Sequence, residues 1–308
     1  MSGGIESNAL QKLLNDGWGY HDTESDRLAR ELEAAVAEEG VAPELLVGFL
    51  HLSIHTLGYH LADWPRALAL GKRALDGRAP LAETGKAWGR LYVAATLAGD
   101  SIEAASAELS CLRAAGDGFG AALLDMRFLL ADALIGAKRP REDAKIYRDA
   151  LALASHAPQS ELLDRSVAAS SNNIGWELYE KPQRTAEEDA LMKLAAETSL
   201  TFWLKCGNWI NAELGHYLNA VVANATGDPN AGLAAADAGL AVIAANGERP
   251  LDAARLHLAR VVSLAAMGSV DRSARAIADA DGAAAKIALE HLKSLYAAER
   301  AKVVAGLS

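Results

Sequence analysis

The stretch Gly99-Asp100-Ser101-Ile102-Glu103-Ala104 reads as the joint between two helices, and it decides the fold. Glycine closes a helix in a left-handed conformation, and the Asp side chain accepts from the first free N–H groups of the next helix. Alanine then lets the two helix backbones approach closely. The same joint recurs. Ala62-Asp63-Trp64-Pro65-Arg66-Ala67 stands 37 residues before it and Gly136 stands 37 after it. Gly227-Asp228-Pro229-Asn230-Ala231 and Gly268-Ser269 follow, 41 apart. The gap of 91 residues from Gly136 to Gly227 leaves room for two longer units with a turn near Lys181-Pro182.

Between the joints the apolar residues follow a helical period, as in Leu45-Leu46-Phe49-Leu50-Leu52-Ile54 and Leu123-Leu124-Phe128-Leu129-Leu130. Of the 308 residues, 66 are Ala and 45 Leu, against 31 Val, Ile and Thr together, a ratio that excludes a β-rich protein. All eight prolines fall between or at the starts of the helical segments, where a missing N–H costs least. The predicted helices include 43–60, 64–76, 101–115, 119–136, 160–180, 185–205, 208–226, 229–246, 250–267, 270–280 and 283–305. Their short links make a string of antiparallel hairpins.

A net charge of −10 argues against nucleic acid as a partner. The basic cluster Lys138-Arg139-Pro140-Arg141 reads as a solvated loop. Cys111 and Cys206 have no zinc spacing and read as small core residues of a reducing compartment. The longest apolar run, 231–245, contains Asp237 and is too short to span a bilayer. With no secretion signal in view, a cytoplasmic location and no membrane partner are expected.

Ser171-Asn172-Asn173-Ile174-Gly175-Trp176-Glu177-Leu178-Tyr179 resembles the first helix of a tetratricopeptide (TPR) repeat, with its large residue, small-residue step and Tyr-like position. Trp88-x-x-Leu91-Tyr92 before Gly99-Asp100, and Ala212-Glu213-Leu214-Gly215-His216 before Gly227-Asp228, are similar to it. The resemblance covers residues 40–285, although the spacing between joints exceeds the ~34 residues of a regular TPR. It implies an all-α fold, a right-handed α-α superhelix (solenoid) of six to seven TPR-like hairpins. Residues 1–40 would be an N-terminal capping hairpin, 41–282 the repeat array and 283–308 a C-terminal capping helix, in one continuous structural unit. Polar residues Glu6, Gln11, Lys12, Lys293, Glu299, Arg300 and Lys302 suit such caps.

No phosphate loop, nucleophile elbow or zincin motif is found in the sequence, so no enzyme activity, catalytic residue or cofactor is expected. A TPR-like array implies a concave groove that binds a protein or peptide segment. By the register of Asn173, the residues Asn172, Trp176 and Tyr179 face that groove, joined by Trp209, His216 and Asn219 from the next hairpin. Amides grip a peptide backbone and flat aromatics cover apolar side chains. Lys86, Arg90 and Arg127, then Asn172 and Asn173, and finally Arg255 and Arg260, would receive an acidic tail. Two alternatives stand beside this reading. His51 and His55 share a helix face, and Glu213-x-x-His216 has di-metal spacing, so a metal- or small-molecule-binding protein could use these four. The solenoid surface could instead serve homo-oligomer formation.

Overall fold

The computed structural model describes residues 3–137 and 139–306, without the side chains of residues 3–8, 38, 39 and 140. The side chain of Glu6 of the expected cap, and Lys138 of the basic cluster, lie outside what is described. Every regular element among the described residues is helical, and none is long and apolar enough to cross a membrane. The chain divides into two compact units, 1–159 and 160–308.

The first unit contains α1 (Gly3–Gly17), α2 (Ser25–Glu39), α3 (Leu46–Ile54), α4 (Trp64–Leu75), α5 (Gly85–Ala98), α6 (Ser101–Ala115), α7 (Phe119–Gly136) and α8 (Pro140–Ala154). Sequence neighbours pack in pairs, α3 on α4, α5 on α6 and α7 on α8. Phe49, Leu50, Leu57, Leu70 and Leu91 are buried in its core, and Phe128 meets Tyr147 edge-on at 5.8 Å between α7 and α8. The second unit contains α9 (Glu161–Glu180), α10 (Ala186–Cys206), α11 (Trp209–Ala225), α12 (Pro229–Asn246), α13 (Pro250–Ala266), α14 (Val270–Ala284) and α15 (Glu290–Ala305). Here α9 pairs with α10, α11 with α12 and α13 with α14, while α11 also touches both α9 and α13. Gly175 marks one close approach: a Cβ there would sit 3.0 Å from Leu218 Cδ2.

Two glycine joints use the expected chemistry in full, while at Gly268-Ser269 the glycine is left-handed (φ 72°) but the serine side chain makes no cap bond. Gly99 (φ 81°) and Gly227 (φ 79°) are left-handed, and Asp100 and Asp228 accept from the backbone N–H of Glu103 and Ala231 at 3.0 Å. Asp63 caps α4 in the same way, with Ala62 in the glycine's place at φ 52°. Gly136 plays a different part. It ends α7 without a positive φ, and a Cβ there would lie 2.8 Å from the Tyr59 ring. It is small because the Tyr59 ring leans on it.

Three of the predicted helices have clearly different boundaries. Residues 43–60 form a 3₁₀ turn at Pro43–Leu45, then α3, then a π-helical turn at His55–His60. The C-terminal helix begins at Glu290 instead of 283, and α14 runs on to Ala284. Gly282 does not stop α14 because Ala280, Ala283 and Ala284 around it are strong helix formers.

Candidate functional site

The first helices of consecutive hairpins in the second unit, α9, α11 and α13, share one side with α15. Together they line an open cleft of about 720 Å³. Its apolar wall is made of Trp176 and Tyr179 from α9, Leu214, Tyr217 and Val221 from α11, Leu258 and Val262 from α13, and Val303 from α15. The three aromatic rings lock together: Trp176 stands edge-on to Tyr179 at 5.6 Å and tilts against Tyr217 at 5.5 Å. Rings held in this way keep their positions when the cavity fills, so little side-chain entropy is lost on binding. Burial raises the pKa of both Tyr217 and Tyr179, so their hydroxyls stay protonated donors at neutral pH.

The polar part of the wall is asymmetric. Arg255 of α13 is held by Glu299 of α15 in a two-pronged ion pair, which raises the guanidinium's pKa. Asn224 is spent on structure: its Nδ2 donates to the Ala259 carbonyl at 2.9 Å and its Oδ1 accepts from Ser263 at 2.7 Å. Lys302 is exposed at the rim, and its ammonium makes no ion pair among the described residues.

Of the groove residues expected from sequence, Trp176 and Tyr179 line this cavity. Asn172 and Asn173, adjacent residues about one turn before Trp176 on α9, do not; Asn173 is exposed and Asn172 half-buried. Trp209 sits at the start of α11 against Gly247. His216 points to α12, with its Cβ 3.3 Å from where a Cβ on Gly239 would be, and burial lowers its pKa. Asn219 donates to the Ala196 carbonyl of α10 and the Gly215 carbonyl, both at 2.8 Å, so its amide ties α11 to α10.

The basic residues Lys86, Arg90 and Arg127 belong to the first unit. Lys86 is exposed on α5. Arg127 pairs with Glu108 at 2.7 Å and donates to the Tyr92 hydroxyl, so its charge is already used. Arg90 is half-buried near Asp125, Tyr59 and Asp132, and the loss of solvent around its guanidinium lowers its pKa. A guanidinium so placed is part of an interior polar cluster with Asp132, whose carboxyl accepts from Tyr59 at 2.8 Å and is pushed up to about 6 by burial.

The four residues of the metal alternative divide between the two units. Glu213 and His216 are in the second unit, pointing to different neighbours. Glu213 is fully buried 3.5 Å from Arg249, which itself holds Asp252 at 2.6 Å. Burial first, then the charge of Asp252, raise the Glu213 carboxyl to about 7. His51 and His55 in the first unit flank Trp18, with ring centroids at 4.9 and 5.3 Å. Burial pushes their pKa values down to about 3 and about 4.

Sequence reasoning missed Tyr217 and did not place Arg255, Glu299 and Lys302 at one site. Tyr217 follows the Gly215-His216 step that carries the TPR resemblance, and the register taken from α9 puts His216 in its place. One residue along a helix is a rotation of about 100°, enough to exchange groove for hairpin interior.

No family model and no curated protein matches this chain. Among solved structures, BtubC (BKLC) from P. vanneervenii is similar over 80% of this chain and 92% of that one, at 16% identity and a TM-score of 0.46.

Proposed function

We propose that the chain is a non-catalytic binding module. Its paired helices are TPR-like hairpins, and the side lined by α9, α11, α13 and α15 holds an extended peptide or protein segment. The observation that carries this reading is the Trp176–Tyr179–Tyr217 wall, which belongs to the first helices of consecutive hairpins and borders a cleft of about 720 Å³. That space takes a bulky apolar side chain and the residues next to it. The unpaired Lys302 at the rim favours a peptide with a carboxylate beside its anchor.

Panning a random peptide library on the full chain tests this. Selected peptides should share an aromatic or branched aliphatic anchor next to an acidic residue. Trp176→Ala should weaken their binding at least tenfold with helical content unchanged. Peptides that bind wild type and variant equally, or a library that yields no consensus, would remove the reading.

A further inference from the structure

A second arrangement lies in the first unit. His21 comes from the loop between α1 and α2, and His55 and His60 from the two ends of the π-helical turn that continues α3. One ring nitrogen of each lies within 4.8 Å of the other two. The Nε2 atoms of His55 and His60 are 3.1 Å apart. We propose that His21, His55 and His60 are the protein ligands of a divalent transition-metal site of the zinc type, with its fourth position open to solvent or an added ligand.

The spacing suits such an ion. Zinc–nitrogen bonds of about 2.0–2.1 Å in a tetrahedron set ligand atoms about 3.3 Å apart. The His55–His60 pair is already there, and small side-chain rotations bring in His21. The backbone makes the pair. In an α-helix residues five apart diverge, whereas a π turn, bonded i to i+5, stacks them; the Leu61 N–H donating to the Thr56 carbonyl at 3.1 Å, one residue past the His55–His60 pair, is a bond of this kind. Such turns are frequent at functional sites and cost the helix its regular bonding.

His21 is prepared as well. Its Nδ1 lies 2.8 Å from the Trp18 carbonyl oxygen. A carbonyl only accepts, so Nδ1 carries the proton and Nε2 keeps its lone pair for a metal, the usual second contact of a ligating histidine. The Trp18 ring lies against His21 and His55 at 5.2 and 5.3 Å, and Tyr59 backs His55 at 5.0 Å, so the imidazoles are held in place. His60 is exposed, which leaves an entry path. Three imidazoles without a carboxylate select zinc, nickel or copper over magnesium and calcium, which prefer oxygen.

The test is calorimetric titration of the tag-free full chain, stripped with chelator, with zinc chloride, and separately with magnesium chloride. One equivalent of zinc should bind and no magnesium. Cobalt(II) should give the strong visible bands of a four-coordinate site. His21→Ala, His55→Ala and His60→Ala should each weaken zinc at least tenfold. His51→Ala, which removes the other ring on Trp18, should not. Since His60 is exposed at a helix end, His60→Ala keeps the fold, and unchanged circular dichroism checks it. Absence of saturable zinc binding, or a His60→Ala chain that binds as tightly as wild type, would overturn the assignment. So would a loss on His51→Ala equal to that on His60→Ala.

Discussion

The guanidinium of Arg255 forks onto the carboxylate of Glu299, Nη2 to Oε1 at 2.6 Å and Nε to Oε2 at 2.9 Å. The pair joins α13 to α15 at the edge of the aromatic cavity, and both side chains are less than one-third exposed. Glu299→Gln keeps the shape and removes the charge. We expect a loss of about 1 kcal/mol, the scale of a partly exposed pair with good geometry. Amide exchange should speed up over Glu290–Ala305 and leave α9 and α10 unchanged. Unaltered exchange in α15 would show that its apolar contacts alone hold it.

Glu213 makes stability depend on pH in an unusual direction. Its carboxyl is raised to about 7 in the folded chain against an ordinary value of 4.5. The folded state therefore binds this proton more tightly than the unfolded state. The contribution is fully present below about pH 4.5 and is lost as pH rises to about 7. Glu213→Gln removes the cost of burying the charge. The variant should exceed wild type by up to ~3 kcal/mol at pH 8 and by much less at pH 5. Urea midpoints at the two pH values measure it. A difference between variant and wild type that is the same at both would refute the assignment.

Ala62 is the one non-glycine residue with positive φ among the described residues. It is exposed and occupies the joint position that Gly99 and Gly227 fill elsewhere. An L-residue in this conformation is strained by about 1–2 kcal/mol, partly offset by glycine's greater freedom when unfolded. Ala62→Gly should therefore stabilise the first unit by roughly 0.5–1 kcal/mol in thermal or urea unfolding. A destabilised variant would contradict the strain.

Asn219 separates structure from recognition. With its amide donating to the carbonyls of Ala196 and Gly215, Asn219→Ala should cost about 1–2 kcal/mol through the unpaired Ala196 carbonyl. Peptides selected on the wild type should bind the variant unchanged at temperatures where it is folded. A binding loss as large as that of Trp176→Ala would return Asn219 to the groove.

Much of this was readable from residues alone, because capping is local. Asp100 and Asp228 bond three residues ahead, and the glycines before them adopt conformations that no neighbour need impose. The helical hairpins and their boundaries at Ser101, Pro229 and Pro250 follow from such short-range rules. So did Trp176 and Tyr179, which one helix presents on one face. Gly136 resembled another joint, because a glycine chosen for a ring packed against it from 77 residues away looks no different in sequence from one chosen for its φ.

What the chain's order of residues determined by itself was an all-helical protein of paired helices, since periodicity, caps and turns act within a few residues. The tertiary structure alone decided that Tyr217 and not His216 meets Trp176, that Arg255 finds Glu299, and that His21 joins His55 and His60. Each depends on a rotation or a meeting between distant segments, and those are set by how whole faces bury against one another. No local rule carries that information.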